Sequence, residues 1–268
     1  MLKDITLGQY FPGNSIAHKL DPRTKILLVT LYIIALFSAK GWMGYAVMAV
    51  TLAACVKVSH VGLRALVRGL KPLVFIIAFT GILNMFFTPD THYLWEWGIL
   101  RVSVKGIENA LFMVIRIMLL VMGTFLMTYT TSPIRLTDGL ESLLNPLKKI
   151  HVPVHELAMM MAIALRFIPT LIEETDKIMS AQKARGADFD SGNIFQKAKA
   201  LVPILVPLFI SAFRRADELA TAMECRCYHG GQGRTALHVL RYQAADLVVL
   251  AAFVALAAGL IVLKHMGI

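Results

Sequence analysis

The sequence predicts an all-α, polytopic membrane protein with about five transmembrane helices and three cytoplasmic amphipathic helices, the last two long and crossing. Of its 268 residues, 57% are hydrophobic and only 16% are charged, against about 25% charged residues in soluble domains. Several apolar runs approach the ~20 residues that a helix needs to cross a bilayer. The net charge of +10 is typical of cytoplasmic loops rich in Lys and Arg. Because no basic and aromatic stripe accompanies that charge, no nucleic-acid partner is expected.

The first 131 residues divide into a polar segment and four apolar runs. Residues 1–25 contain prolines and a glycine and are predicted to form a structured cytoplasmic lead-in without a helix. A transmembrane bundle is predicted over 26–131, with a basic loop at 57–71 and an aromatic-rich loop at 88–106. The four predicted spans are 26–39, 42–56, 70–87 and 107–131.

The distribution of positive charge predicts the orientation of these spans. The lead-in and the 57–71 loop hold four Lys or Arg residues each, whereas the 88–106 loop holds two, balanced by two acids. Positive charge favours the cytoplasmic side, so the N-terminus and the stretch 132–243 are expected there. The last apolar run, within 244–268, is then a fifth span that leaves the C-terminus outside.

Three amphipathic helices are predicted within 132–243. Ser132-Pro133 begins the first in the manner of an N-cap followed by proline. The second runs from about residue 155 to Arg185, with apolar residues at three- and four-residue spacing. The third runs from about residue 194 to Tyr228, where a glycine-rich stretch ends it.

A short pattern occurs at the end of both long helices. Asp176 precedes Arg185-Gly186 by nine positions, and Asp217 precedes Arg226-Cys227 by the same interval. One interpretation is local, because a cation in the last turn complements the helix dipole and glycine suits a left-handed cap. The other is that the two arginines dock into two similar acidic grooves, since a guanidinium binds a carboxylate through two hydrogen bonds. The second interpretation predicts a two-fold partner such as a pair of ATPase subunits. Its docking residues would be Ala184, Arg185, Gly186, Cys225, Arg226 and Cys227.

Two further clusters lie on the long helices. Small residues recur every fourth position on the third amphipathic helix, which permits close crossing of the two long helices or reflects ordinary helix propensity; they are Ala212, Ala216 and Ala220. Three consecutive methionines fill a core, or they form an adaptable surface for an exchangeable membrane partner; they are Met159, Met160 and Met161.

The fourth span contains one charged residue near its middle. A charge inside a membrane marks a functional site by default, and Arg116 is therefore a candidate. Glu108 is eight residues away, too far for a direct pair on one helix, so Asn84 on another span is an alternative partner. No catalytic motif is found, and the three cysteines match neither a metal site nor a redox motif. No catalytic residue, no metal site and no cofactor of the chain's own is predicted.

The chain resembles the transmembrane T component of energy-coupling factor (ECF) transporters, a branch of the ABC superfamily. The resemblance covers nearly the whole chain and is most specific in the lead-in. The lead-in residues resemble that family's N-terminal signature; they are Gly8-Gln9-Tyr10, Pro12-Gly13, Ser15, His18, Leu20-Asp21-Pro22-Arg23 and Lys25. Ala184-Arg185-Gly186 is similar to the family's first Ala-Arg-Gly motif. Cys225-Arg226-Cys227 occupies the place of the second, keeping the arginine and replacing both neighbours.

The resemblance implies a non-enzymatic energy-coupling subunit of a bacterial importer in the cell membrane. It implies that 132–243 is a coupling domain, whose two arginines hold two cytoplasmic ATPases that bind ATP and Mg²⁺. It also implies a membrane-embedded substrate-binding S component, with vitamin uptake through several exchangeable S components. A T component dedicated to cobalt or nickel is an alternative within the family, and a self-contained receptor or membrane enzyme is an alternative outside it.

Overall fold

The computed structural model describes residues 10–88, 93–97, 100–187, 189, 193–230 and 239–265, and these residues are almost entirely helical. The α-helices are α1 (Ile16–Lys19), α2 (Pro22–Ser38), α3 (Gly41–Ser59), α4 (Leu63–Leu70), α5 (Val74–Phe87), α6 (Val104–Thr130), α7 (Pro133–Leu144), α8 (Val154–Ala184), α9 (Ile194–Cys225) and α10 (Ala244–His265). Short 3₁₀ turns follow α4 and α7. The predicted all-α class is confirmed, with one small addition: strands β1 (Tyr93–Trp97) and β2 (Leu100–Ser103) form an antiparallel pair.

The prediction of a lead-in without helices is wrong for its second half. Ser15 caps α1 by accepting a hydrogen bond from the His18 amide. Asp21 caps α2 by accepting one from the Arg23 amide at 2.9 Å, and Pro22 occupies the first helical position, where its missing N–H costs nothing. Helix α2 therefore begins four residues before the predicted span.

The predicted basic loop at 57–71 is also largely helical. Helix α4 occupies most of it and buries Leu66 and Leu70, while Arg64 and Arg68 stay exposed. The apolar residues recur at helical spacing among the basic ones, so the segment is amphipathic. The positive charge that indicated a loop lies instead on the exposed face of a helix.

Among the described residues, five segments are long and apolar enough to cross a membrane, which is the number predicted, although the set differs. They are Gly41–Ser59, Leu63–Phe87, Val104–Thr130, Val154–Ala184 and Ala244–Lys264. The predicted first span, now α2, has only 17 residues and is not among them. Helix α8, predicted to be a cytoplasmic amphipathic helix, is among them because its first half is apolar on most of its circumference.

The described chain forms two compact units. One contains 141–239, and the other contains 8–140 together with 240–268. This division lies close to the predicted boundaries of 132 and 243. In the second unit, α6 contacts α2, α3, α4 and α5, and α2 also contacts α10. Its core includes Leu36, Met48 and Leu66, which are fully buried.

The lead-in is fastened to that unit by polar contacts. Asp246, at the start of α10, accepts hydrogen bonds from the Asp21 amide at 2.9 Å and from the Gln243 amide at 2.8 Å. Lys25 donates to the carbonyl oxygen of Thr130 at 2.9 Å, where α6 leaves carbonyls without helical partners. The signature residues Asp21 and Lys25 therefore connect the start of α2 to α10 and to the end of α6.

Candidate docking site at two helix ends

Helix α8 ends in a Schellman motif in which Arg185 is the C-cap residue. Gly186 has φ +86°, and its amide donates to the Lys183 carbonyl at 3.0 Å. The next amide, of Ala187, donates to the Gln182 carbonyl at 3.0 Å. These two hydrogen bonds satisfy carbonyls that the helix leaves free, so the backbone around Arg185 is fixed.

Helix α9 ends in the same motif with Arg226 as the C-cap residue, three residues earlier than predicted. Cys227 has φ +56°, and its amide donates to the Glu224 carbonyl at 2.9 Å. The Tyr228 amide donates to the Met223 carbonyl at 3.1 Å. Both arginines therefore occupy equivalent backbone positions, although only the first is followed by glycine.

Both arginines are accessible. All six predicted docking residues are exposed, and within the described chain neither Arg185 nor Arg226 makes a salt bridge. A side chain that caps only its own helix dipole would also be exposed. Exposure is therefore compatible with both interpretations, helix capping and docking into a partner. The relation between the two helix ends distinguishes them better.

Helices α8 and α9 pack against each other around one ion pair. The Glu174 carboxylate accepts a hydrogen bond from Arg215 Nη2 at 2.7 Å and another from the Ser211 hydroxyl. Further along, Gln182 Nε2 donates to the Pro203 carbonyl at 3.5 Å. Because higher positions on α8 meet lower positions on α9, the two helices run antiparallel.

The ion pair joins equivalent positions of the two repeats. Glu174 precedes Arg185 by 11 residues, and Arg215 precedes Arg226 by the same number. When equivalent positions of antiparallel helices touch, an approximate two-fold axis passes through the contact. At 1.5 Å per residue, each arginine lies about 16 Å along its helix from that axis, so the two ends point in opposite directions.

Sequence reasoning missed this central pair. Glu174, Ser211 and Arg215 were not predicted as site residues, although one signal was available. Residues 174 and 215 are 41 positions apart, the same interval as Asp176 and Asp217, and they carry opposite charges. Like charges at these positions would repel at the axis, whereas opposite charges attract.

The two other predicted clusters are placed as follows. Ala212 is half-buried beside Ser211, while Ala216 and Ala220 are exposed, and the role of the three alanines in helix crossing stays a prediction. Met160 and Met161 are 54% and 41% exposed, as a contact surface requires. These placements leave both cluster roles as predictions.

Met159 connects the methionine cluster to the end of α9. It lines a cavity of about 410 Å³ together with Met223, Arg226 and Cys227. The cavity therefore brings the first third of α8 next to the second arginine. Among the described residues, no group of three His, Cys, Asp or Glu side chains could hold a metal ion.

Comparison with known proteins identifies the family of the chain. A family model described as "Cobalt transport protein" (CbiQ) matches residues 13–237. The chain is 54% identical over 249 residues to the energy-coupling factor transporter transmembrane protein EcfT of Ruminiclostridium cellulolyticum, covering 93% of each chain. It is 46% identical over 264 residues to the protein of the same name from Bacillus subtilis, covering 98% of this chain and all of the other.

The chain belongs to this family of ECF transporter transmembrane components. The resemblance to ECF T components is confirmed, and the apolar helices together with these relatives indicate a location in a membrane.

A relative from Thermosediminibacter oceani, also named EcfT, is 56% identical over 254 residues and covers 95% of this chain. The relatives therefore span both units of the structure, and the family assignment rests on the helices that carry the arginines as well as on the membrane bundle. A T component is a subunit of a transporter, so the exposed arginine ends are candidates for contact with other subunits.

Proposed function

We propose that the chain couples two cytoplasmic ATPases to a membrane-embedded S component, with Arg185 and Arg226 each docking into one ATPase. The observation that carries this proposal is the equivalence of the two helix ends about the Glu174–Arg215 ion pair. A pair of related ATPases presents two similar grooves, and a pair of equivalent arginines fits them. In this proposal ATP and Mg²⁺ are bound by the ATPases, and the chain supplies no catalytic group and holds no cofactor.

The chemistry of the arginines supports a carboxylate-lined groove as the docking site. A guanidinium stays charged at all physiological pH values and forms two parallel hydrogen bonds with one carboxylate. At each helix end the C-cap carbonyl region carries partial negative charge that partly offsets the arginine. An acidic groove attracts the arginine side chain and repels the negative helix end. The side chain, rather than the helix end, is therefore the part that binds the groove.

The orientation follows from the same proposal. ATPases require ATP, so we place the coupling domain at 132–243 in the cytoplasm together with the N-terminus. This placement counts α2 as a short first span and keeps α8 out of the bilayer core despite its apolar first half. The C-terminus then lies outside. The exposed methionines Met160 and Met161 are the surface on which we place the S component, because flexible thioether side chains adapt to several partners. Movement of the ATPases would pass along α8 and α9 to that surface and release substrate inside.

Vitamins are the proposed substrate class, delivered by several exchangeable S components. The shared name of the relatives, which mentions energy coupling and no substrate, supports a general T component. The description of the matching family model favours a second candidate, a component dedicated to cobalt or nickel. Uptake assays with labelled vitamins and with Co²⁺ or Ni²⁺, in cells with and without the chain, distinguish the two.

Charge reversal at the arginines tests the docking proposal. We expect Arg185→Glu and Arg226→Glu each to weaken assembly with the ATPases by about 2–5 kcal/mol, because each places an acid against an acidic groove. Co-purification of the ATPases with the tagged full chain measures this loss. The matched control is Arg214→Glu, which reverses an exposed charge on α9 away from the helix end.

Unchanged assembly in both single variants would falsify the docking proposal. A self-contained receptor or membrane enzyme makes a different prediction, because it purifies alone and binds or converts its ligand without ATP. ATP hydrolysis that requires co-purified ATPase chains excludes that alternative.

A further inference from the structure

Arg116 on α6 has no acidic partner among the described residues. Its guanidinium carbon lies 5.7 Å from the ring centres of both Phe37 and Tyr45, and its Nε is buried without a hydrogen-bond acceptor. Asn84, the partner considered from the sequence, donates its amide to the Thr80 carbonyl at 2.9 Å on its own helix. A charge inside a membrane helix is costly without a partner, and aromatic faces neutralise it only in part.

Tyr45 contributes a second donor at the same place. Its side chain is 3% exposed, and its ring stacks on Phe112 with centres 5.1 Å apart. Its hydroxyl is buried and also has no hydrogen-bond partner. Two buried donors in one aromatic cluster indicate that the cluster accepts a single group rich in acceptor oxygens.

The depth of the cluster indicates where that group comes from. Lys25 meets Thr130 at one end of the α2–α6 contact, and Phe37 meets Arg116 at the other. The 14 residues from Thr130 to Arg116 span about 21 Å, less than the ~30 Å of a bilayer core. The α2–α3 turn therefore lies at the same depth as Arg116. Helix α6 extends beyond that depth by another 12 residues, toward its first residue Val104.

The residues at this turn are typical of a membrane interface rather than of the bilayer centre. Lys40 is exposed at the turn, three positions after Phe37. Trp42 follows it, is 56% exposed and contacts Phe112 with ring centres 5.0 Å apart. Trp is enriched where apolar chains meet headgroups. Two cations and an interfacial Trp at one level favour a headgroup over a carboxylate from a partner helix.

We propose that Arg116 and Tyr45 bind the phosphate of a phospholipid headgroup from the leaflet that contains the α2–α3 turn. The guanidinium donates to the phosphate oxygens as a fork, the Tyr45 hydroxyl donates to the same group, and Lys40 adds positive charge from the turn. Basic pockets between membrane helices bind lipid headgroups in this way.

Native mass spectrometry of the full chain tests this site. The chain is reconstituted with phosphatidylglycerol or with phosphatidylethanolamine, and retained lipids are counted after controlled delipidation. We expect the unmodified chain to retain one phospholipid that Arg116→Gln loses, with about a tenfold weaker apparent affinity, and Tyr45→Phe to weaken retention about threefold. Retention of either lipid supports phosphate recognition. Arg64→Gln removes an exposed charge on α4 and leaves this lipid in place.

Two results overturn the proposal. One is equal lipid retention in Arg116→Gln, Tyr45→Phe and the unmodified chain. The other is loss of a membrane partner subunit from Arg116→Gln at unchanged lipid retention, which would assign the acceptor to a partner carboxylate. Tyr45→Phe removes one hydroxyl and preserves the aromatic stack, so it decides the question even where Arg116→Gln fails to fold.

Discussion

The ends of α8 and α9 have the same backbone and different sequences. At each end an arginine is the C-cap residue, and two hydrogen bonds close the helix with nearly equal lengths. The residue after the arginine is Gly186 in one case and Cys227 in the other, and both have positive φ. The arginine's position is therefore set by the way the helix ends and by its distance from the Glu174–Arg215 ion pair, and the flanking residue types matter less.

The two ends differ in their surroundings. Arg226 lines a cavity together with Met159 from the beginning of α8. Beside Arg185 the space is open, because a Cβ added to Gly186 would meet no atom within 4 Å. An approximate two-fold relation is thus maintained in the backbone and relaxed in the side chains. Two related but different ATPase grooves would favour such a difference.

The largest expected effect on this comparison comes from the ion pair at its centre. Glu174→Gln leaves the half-buried Arg215 without its carboxylate, and we expect a loss of about 1–3 kcal/mol in the free energy of unfolding of the detergent-solubilised chain. Because the two positions are equivalent in the repeats, exchanging them in a Glu174→Arg, Arg215→Glu double variant should restore most of this stability. Thermal unfolding measures both.

The control for this test is Glu173→Gln, which neutralises the exposed neighbouring acid and should change stability by less than about 0.5 kcal/mol. A double variant that is no more stable than the single one contradicts the two-fold interpretation, because it shows that the direction of the pair matters. In that case the two ends are not equivalent.

Much of the helical architecture was predictable from periodicity. The Ser132-Pro133 start predicts α7, apolar spacing predicts α8, and a long apolar run predicts α10. The structure begins α7 at Pro133 and α8 at Val154. Both cases depend on local signals, a cap or a proline, that act within a few residues. The arginine positions were predictable for the same reason, since a helix end is a local feature.

What could not be predicted depends on contacts between distant residues. The helical start of α2 depends on Asp21, whose amide is held by Asp246 from the other end of the chain. The direction in which α9 lies along α8 depends on the contact between Glu174 and Arg215. The 41-residue interval singles out this pair, but the pattern of neither helix determines the direction. The strands β1 and β2 need mutual pairing before either is stable, and the aromatic residues of β1 were interpreted as part of an interfacial loop.

A smaller effect is expected from the glycine that follows the first arginine. Gly186→Ala forces an alanine into the left-handed region, which costs about 1–2 kcal/mol, partly offset by a less flexible unfolded chain. No atom lies within 4 Å of the added Cβ, so the effect is conformational, and we expect a net loss of about 1 kcal/mol in thermal unfolding. Gly62→Ala is the control, because Gly62 also has open space around it but has φ −64°. Equal effects of the two substitutions would mean that the left-handed cap at Arg185 is not what requires glycine.

The smallest effect is expected at the second end and has the opposite sign. Cys227→Gly relieves the strain of a side chain at φ +56°, and after the cost of a more flexible unfolded chain we expect a gain of about 0.5–1 kcal/mol. Binding to the ATPases should stay unchanged, because Arg226 keeps its C-cap position and the proposed docking contact is made by its guanidinium. Cys225→Ala, inside the last turn of α9, is the control and should change neither stability nor binding. If Cys227→Gly instead weakens assembly while Cys225→Ala does not, the thiol of Cys227 itself contacts the partner, and the difference between the two ends is a recognition feature rather than a tolerated substitution.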